Sequence, residues 1–125
     1  MGRNRGFSLL ELLIALGILT VAFAALAQLS AATMKADRHN RHKTAALHLA
    51  QEKLEILKGI PFDELTSEWE GPLTLETFSV PFDRETTVNK DPQRRLAEVT
   101  VRVYWSYPSG GLSRFRVELS TRLAA

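Results

Sequence analysis

From Leu12 to Met34 the chain carries no charged side chain for 23 residues, and Leu12 to Ala27 is apolar except for Gly17 and Thr20. At a rise of 1.5 Å per residue such a run makes roughly 35 Å of helix, enough to cross the hydrocarbon core of a bilayer. Glu11 stands at its start. A carboxylate at that place costs on the order of 2.5 kcal/mol or more if it enters hydrocarbon unpaired, so something should compensate it. Before it comes the basic tip Met1-Gly2-Arg3-Asn4-Arg5-Gly6.

Three readings compete for this segment. A cleavable secretory signal has a basic region, an apolar core and a small-x-small cleavage site, here Ala25-Leu26-Ala27 before Gln28; the length of the run and Glu11 at its start oppose it. A plain single-span anchor leaves Glu11 without a partner. The third reading rests on Gly6-Phe7-Ser8-Leu9-Leu10-Glu11-Leu12-Leu13, which resembles the N-terminal motif of type IV prepilins and of the pseudopilins of type II secretion.

The resemblance implies a basic leader, residues 1–6, cut by prepilin peptidase between Gly6 and Phe7, with N-methylation of Phe7. It makes Glu11 the acidic fifth residue of the mature chain, where it can meet the Phe7 amine of a neighbouring subunit and act as a register device for assembly. Leu9, Leu10, Leu12, Leu13, Ile14 and Leu16 become membrane-packing and subunit-packing residues of a segment spanning 7–34. The implied partners are other pilin or pseudopilin subunits, the prepilin peptidase/N-methyltransferase, an inner-membrane assembly platform and the lipid bilayer. The implied location is the bacterial inner membrane, leader cytoplasmic and body periplasmic, and then a pilus or pseudopilus. Counting basic flanking residues alone favours the reverse orientation, because Lys35, Arg38, Arg41 and Lys43 follow the run.

Residues 35–125 read as a small globular α+β domain. Leu47, Ala50, Leu54 and Leu57 form a helical stripe, with Lys53 on another face, and Gly59-Ile60-Pro61 stops the helix near 58 by a left-handed turn. A helix from about Phe7 to Lys58 runs close to 80 Å. Loops are expected over 59–72 and 81–95, and strands over about 73–80, 96–105 and 112–122, with Tyr107 to Gly111 as a turn. Ala97, Val99, Val101, Val103 and Trp105 alternate onto one face, as do Phe115, Val117 and Leu119. The expected fold is pilin-like: a long N-terminal helix, its second half packed on a small antiparallel sheet. The short body and Leu49-Ala50-Gln51-Glu52-Lys53-Leu54-Glu55 look like minor pilins of the PilV type or I-type minor pseudopilins.

The charge is segregated. Arg3 and Arg5 supply the whole formal excess of +2, and the residues from Phe7 onward hold 14 basic and 14 acidic side chains. Asp63 to Glu85 has seven acidic residues and one Arg, while Lys35 to Lys58 has six basic and three acidic. These are solvated faces or complementary surfaces of neighbouring subunits. Arg102, Tyr104, Arg114 and Arg116 share a sheet face that could track phosphates, though the solvated-face reading is the simpler one and nucleic acid is a minor candidate. His39, His42 and His48 have helical spacing, but Arg38, Arg41 and Lys43 oppose a dication, so a solvated polar face is expected and no metal or cofactor. With no cysteine, disulfides and thiol nucleophiles are excluded, and no catalytic motif stands out. The chain reads as non-enzymatic: a minor pilin or pseudopilin, or alternatively a membrane-anchored binding module, such as a DNA-uptake or adhesion accessory, that does not polymerise.

Overall fold

The computed structural model describes residues 6–108 and 113–125. Residues 1–5 of the expected leader, and 109–112, with most of the expected turn and the start of the last expected strand, lie outside the described residues. The chain has two compact units, Met1–His39 and Asn40–Ala125. A single helix, α1 (Leu9–Lys58), contributes to both.

In the first unit α1 is leucine- and alanine-rich, free of proline, and interrupted in composition only by Gly17. Such residues lose little rotamer freedom in a helix. The Thr20 and Thr33 hydroxyls donate back to the carbonyls of Leu16 and Leu29, which keeps their polar groups satisfied within the helix.

The second unit contains the rest of α1, a short 3₁₀ turn at Phe62–Glu64 and four strands: β1 (Glu68–Leu73), β2 (Phe82–Asp91), β3 (Leu96–Ser106) and β4 (Arg114–Ala124). The strands form one antiparallel meander in the order β1-β2-β3-β4. Together with α1 this is the α+β pilin-like architecture expected from the sequence. The registers run from Phe82 opposite Trp105 to Asp91 opposite Leu96, and from Leu96 opposite Ala124 to Ser106 opposite Arg114. Between β2 and β3 the Asp91 carboxylate accepts the Gln93 and Arg94 amides at 3.1 and 3.3 Å, and Arg95 adopts φ 50°. The core joins Ala46, Leu49, Ala50 and Leu57 of α1 to Phe82, Val117 and the inward row Ala97, Val99, Val101, Val103 and Trp105.

Several details differ from the sequence reading. The strand expected over 73–80 is absent: 74–81 forms turns, and Leu75, Phe78 and Val80 reach the core from irregular backbone. Strands instead occupy β1 and β2, inside the two expected loops. The inward positions of β2 are Phe82, Arg84, Thr86 and Val88, half of them polar, so no apolar alternation marks the strand. β1 contains Gly71 and Pro72, which a short edge strand tolerates. The buried line on α1 runs His42, Ala46, Leu49, Ala50, Lys53, Leu57, while Leu47 and Leu54 are only half-buried. Apolar counting misplaced this seam because two of its members are polar residues with partners. The helix also ends without a left-handed residue. Gly59 and Ile60 donate to Ile56 and Leu57 at 3.1 Å, tightening the last turn into 3₁₀ geometry before Pro61.

Candidate processing site and assembly surfaces

The residues around the expected cut are arranged by Ser8. Its backbone N–H donates to Glu11 Oε2, and the Glu11 N–H donates to Ser8 Oγ, both at 3.2 Å. The Ser8 carbonyl accepts the first helical bond, from Leu12 N–H at 3.2 Å. This is a reciprocal capping box, which satisfies amide donors that a helix start otherwise leaves open. It places Gly6 and Phe7 in non-helical, exposed backbone ahead of Leu9, with Phe7 at 92% exposure. A peptidase needs such a segment, because a helical peptide bond is shielded by its own turn.

The cap also changes the account of Glu11. Its carboxylate has a donor in its own chain, so the acidic residue of a single-span anchor is not without a partner. Its position in the first turn is favoured by the positive end of the helix dipole. The sequence reading missed Ser8, although serine followed three residues later by glutamate is a recognisable helix-start pattern.

Beyond the cap, Leu9, Leu10, Leu12, Leu13, Ile14 and Leu16 are 52–76% exposed. The helix is long and apolar enough to cross a membrane, with a mean hydropathy of 2.5 over its best 18-residue window. A helix apolar on every side calls for lipid or other helices around it.

In the second unit the acidic stretch is largely engaged within the chain. The Lys53 ammonium, on a side chain only 9% exposed, meets Glu68 at 2.7 Å and Glu70 at 3.3 Å. Arg84 donates from Nε to Glu70 at 2.6 Å and from Nη1 to the Leu49 carbonyl at 3.1 Å. The Arg84 hydrogen bond, opposed by burial and aided by Lys53, holds the Glu70 carboxyl below its ordinary range. This cluster ties α1, β1 and β2 together. Four of the seven carboxylates between Asp63 and Glu85 thus serve intrachain contacts, because Asp83 meets Arg114 at 2.7 Å and Glu85 meets Arg102 at 3.6 Å. That narrows what remains for pairing between subunits.

The outward sheet face has the expected parity but not the expected charge. Arg102 donates to Glu118 at 2.8 Å, an interaction that lowers the Glu118 carboxyl and raises the guanidinium. Arg114 sits over the Tyr104 ring at 4.6 Å and the Trp69 ring at 5.7 Å, with the two rings stacked at 6.0 Å. Burial, then the hydrogen bond to Glu85, pushes the Tyr104 hydroxyl up. Carboxylates therefore compensate two of the arginines that would track phosphates.

The histidines part company. His48 is exposed and His39 half-buried, whereas His42 is buried edge-on against Phe78 and Tyr107, with ring centroids at 4.9 and 5.1 Å. His42 is thus a core residue, not part of a solvated face: Phe78 from 74–81 and Tyr107 just after β3 close over it. Among the described residues no group of three or more His, Asp or Glu side chains could hold a metal ion.

Comparison with known proteins bears on the first unit. Residues 1–27 match the family model of the prokaryotic N-terminal methylation motif. No curated protein and no solved structure matches the chain. The motif implies processing by prepilin peptidase and assembly with other pilins. With that match over the basic N-terminal residues, the cap and the start of the apolar helix, the chain carries the N-terminal methylation motif of prokaryotic prepilin-like proteins.

Proposed function

We propose that the chain is a minor pilin or pseudopilin subunit, cleaved between Gly6 and Phe7, methylated at Phe7, and assembled through its apolar helix into a type IV pilus or a type II secretion pseudopilus. The observation that carries this reading is the methylation motif on a chain whose Gly6–Phe7 bond is exposed and lies just outside a capped helix. Residues 1–6 are the leader, and Phe7 to Met34 the membrane and polymerisation segment. Leu9, Leu10, Leu12, Leu13, Ile14 and Leu16 pack first against lipid and then against neighbouring helices. Glu11 exchanges its Ser8 amide for the Phe7 amine of a neighbour, which sets the register. The periplasmic domain supplies the filament surface, and the inner-membrane platform drives extraction.

Assembly is tested by shearing filaments from cells that express the full chain. Its presence in the filament fraction, and its loss from that fraction in Glu11→Ala, supports the reading. A processed chain that stays wholly in the envelope makes it a membrane-anchored module that does not polymerise.

A further inference from the structure

The two edges of the sheet are built differently. β1 has six residues, contains Gly71 and Pro72, and shifts register between Glu70 and Leu73. Short length, proline and irregular pairing are devices that stop an edge from accepting another strand. β4 has none of them. It runs for 11 residues without proline or glycine and pairs with β3 in unbroken register from Arg114 to Ala124. Among the described residues β3 is its one strand partner, so the N–H and C=O groups of alternate residues face away from the sheet.

The side chains of β4 specify what fits beside it. On the helix-facing side Phe115, Leu119 and Leu123 are half-buried against the core, leaving apolar surface for a neighbour to cover. On the outward side stand Arg114, Arg116, Glu118, Ser120 and Arg122, three arginines to one glutamate. Arg114 and Glu118 are engaged with Asp83 and Arg102, while Arg116 and Arg122 lie opposite Tyr104 and Glu98 on β3.

We infer that the free edge of β4 is a docking site for an extended strand of another protein chain, one that alternates apolar residues toward the helix with acidic residues toward the arginine row. The added strand takes up the outward-facing backbone groups. Its apolar residues cover Phe115, Leu119 and Leu123, and its carboxylates meet Arg116 and Arg122. Main-chain pairing supplies the affinity, and the alternate side chains the specificity. The inference does not depend on leader cleavage or on polymerisation.

The test uses the full chain in detergent micelles and residue-resolved amide hydrogen exchange. The probe is a synthetic peptide of alternating valine and glutamate, about nine residues long, a usual strand length. The expected result is that alternate amides of β4, those facing away from β3, exchange about tenfold more slowly with the peptide bound, while β1 amides are unchanged. The exposed-site variant Arg116→Glu should lose this protection, as should Arg122→Glu, and a valine–lysine peptide should give none. The inference is overturned by absence of protection, by protection at β1 instead, or by equal effects of the acidic and basic peptides. Protection that grows with chain concentration alone would assign the edge to a second copy of this chain and overturn the acidic partner.

Discussion

Ser8 and Glu11 cap each other: the Ser8 amide donates to the Glu11 carboxylate and the Glu11 amide to the Ser8 hydroxyl, each at 3.2 Å. Glu11, inside the matched methylation motif, therefore also helps to cap the start of the helix. One carboxylate thus closes the helix start next to the exposed Gly6–Phe7 backbone at which we propose cleavage.

Removing the hydroxyl should fray the helix start without touching the motif glutamate. Ser8→Ala is expected to cost about 1 kcal/mol at the first turn, and Ser8→Thr much less. Amide exchange at Leu10, Glu11 and Leu12 in the micelle-bound full chain reads this out. Equal protection in wild type and Ser8→Ala would show that the cap contributes nothing to helix order.

The Lys53–Glu70–Arg84 cluster makes a pH prediction. The Glu70 carboxyl lies below its ordinary value of 4.5 in the folded chain. A depressed folded pKa contributes stability that is fully present above the unfolded value and is lost as pH falls through the folded one. The unfolding midpoint, followed by the fluorescence of Trp69 and Trp105, should hold steady near neutral pH and decline below about 4.5. Glu118, lowered by Arg102, acts in the same direction. Glu70→Gln should flatten part of the decline. Glu70→Ala, which takes the carboxylate partner from the buried Arg84 side chain while Lys53 keeps Glu68, should cost about 3 kcal/mol at neutral pH.

Phe82 offers a packing test. It is fully buried, 6.2 Å from the Trp105 ring and 5.8 Å from Phe78. Phe82→Ala should cost about 3–5 kcal/mol, comparable to the whole stability of a small domain. A near-normal denaturant midpoint would contradict the described core.

How legible these features are in the sequence depends on what faces inward. β3 can be read directly because Ala97, Val99, Val101, Val103 and Trp105 are all apolar and all buried. β2 cannot, because the polar residues Arg84 and Thr86 occupy inward positions, and the Arg84 side chain depends on Glu70 and the Leu49 carbonyl, partners far away in the chain. The same reason hides Lys53 and His42 from any count of apolar helical spacing. At the N-terminus the cap is a local pattern, a serine followed three residues later by glutamate, and needs no distant partner to be legible.

The outward face yields a gain-of-binding prediction. Asp83 and Glu118 neutralise Arg114 and Arg102, so the wild-type chain should bind DNA negligibly even at low salt. The triple variant Asp83→Asn/Glu85→Gln/Glu118→Gln removes the carboxylates that face both guanidinium groups and should introduce weak binding that falls steeply with salt. Strong wild-type binding by fluorescence anisotropy would show that charge compensation is not what governs this face.

Processing at Gly6–Phe7 is tested most directly by the intact mass and N-terminal sequence of the chain isolated from cells with and without prepilin peptidase. The expected product with the enzyme begins at Phe7, lacks Met1 to Gly6 and carries one added methyl group, whereas without the enzyme the leader remains. An N-terminus at Gln28, or an uncut leader in both strains, would contradict the account.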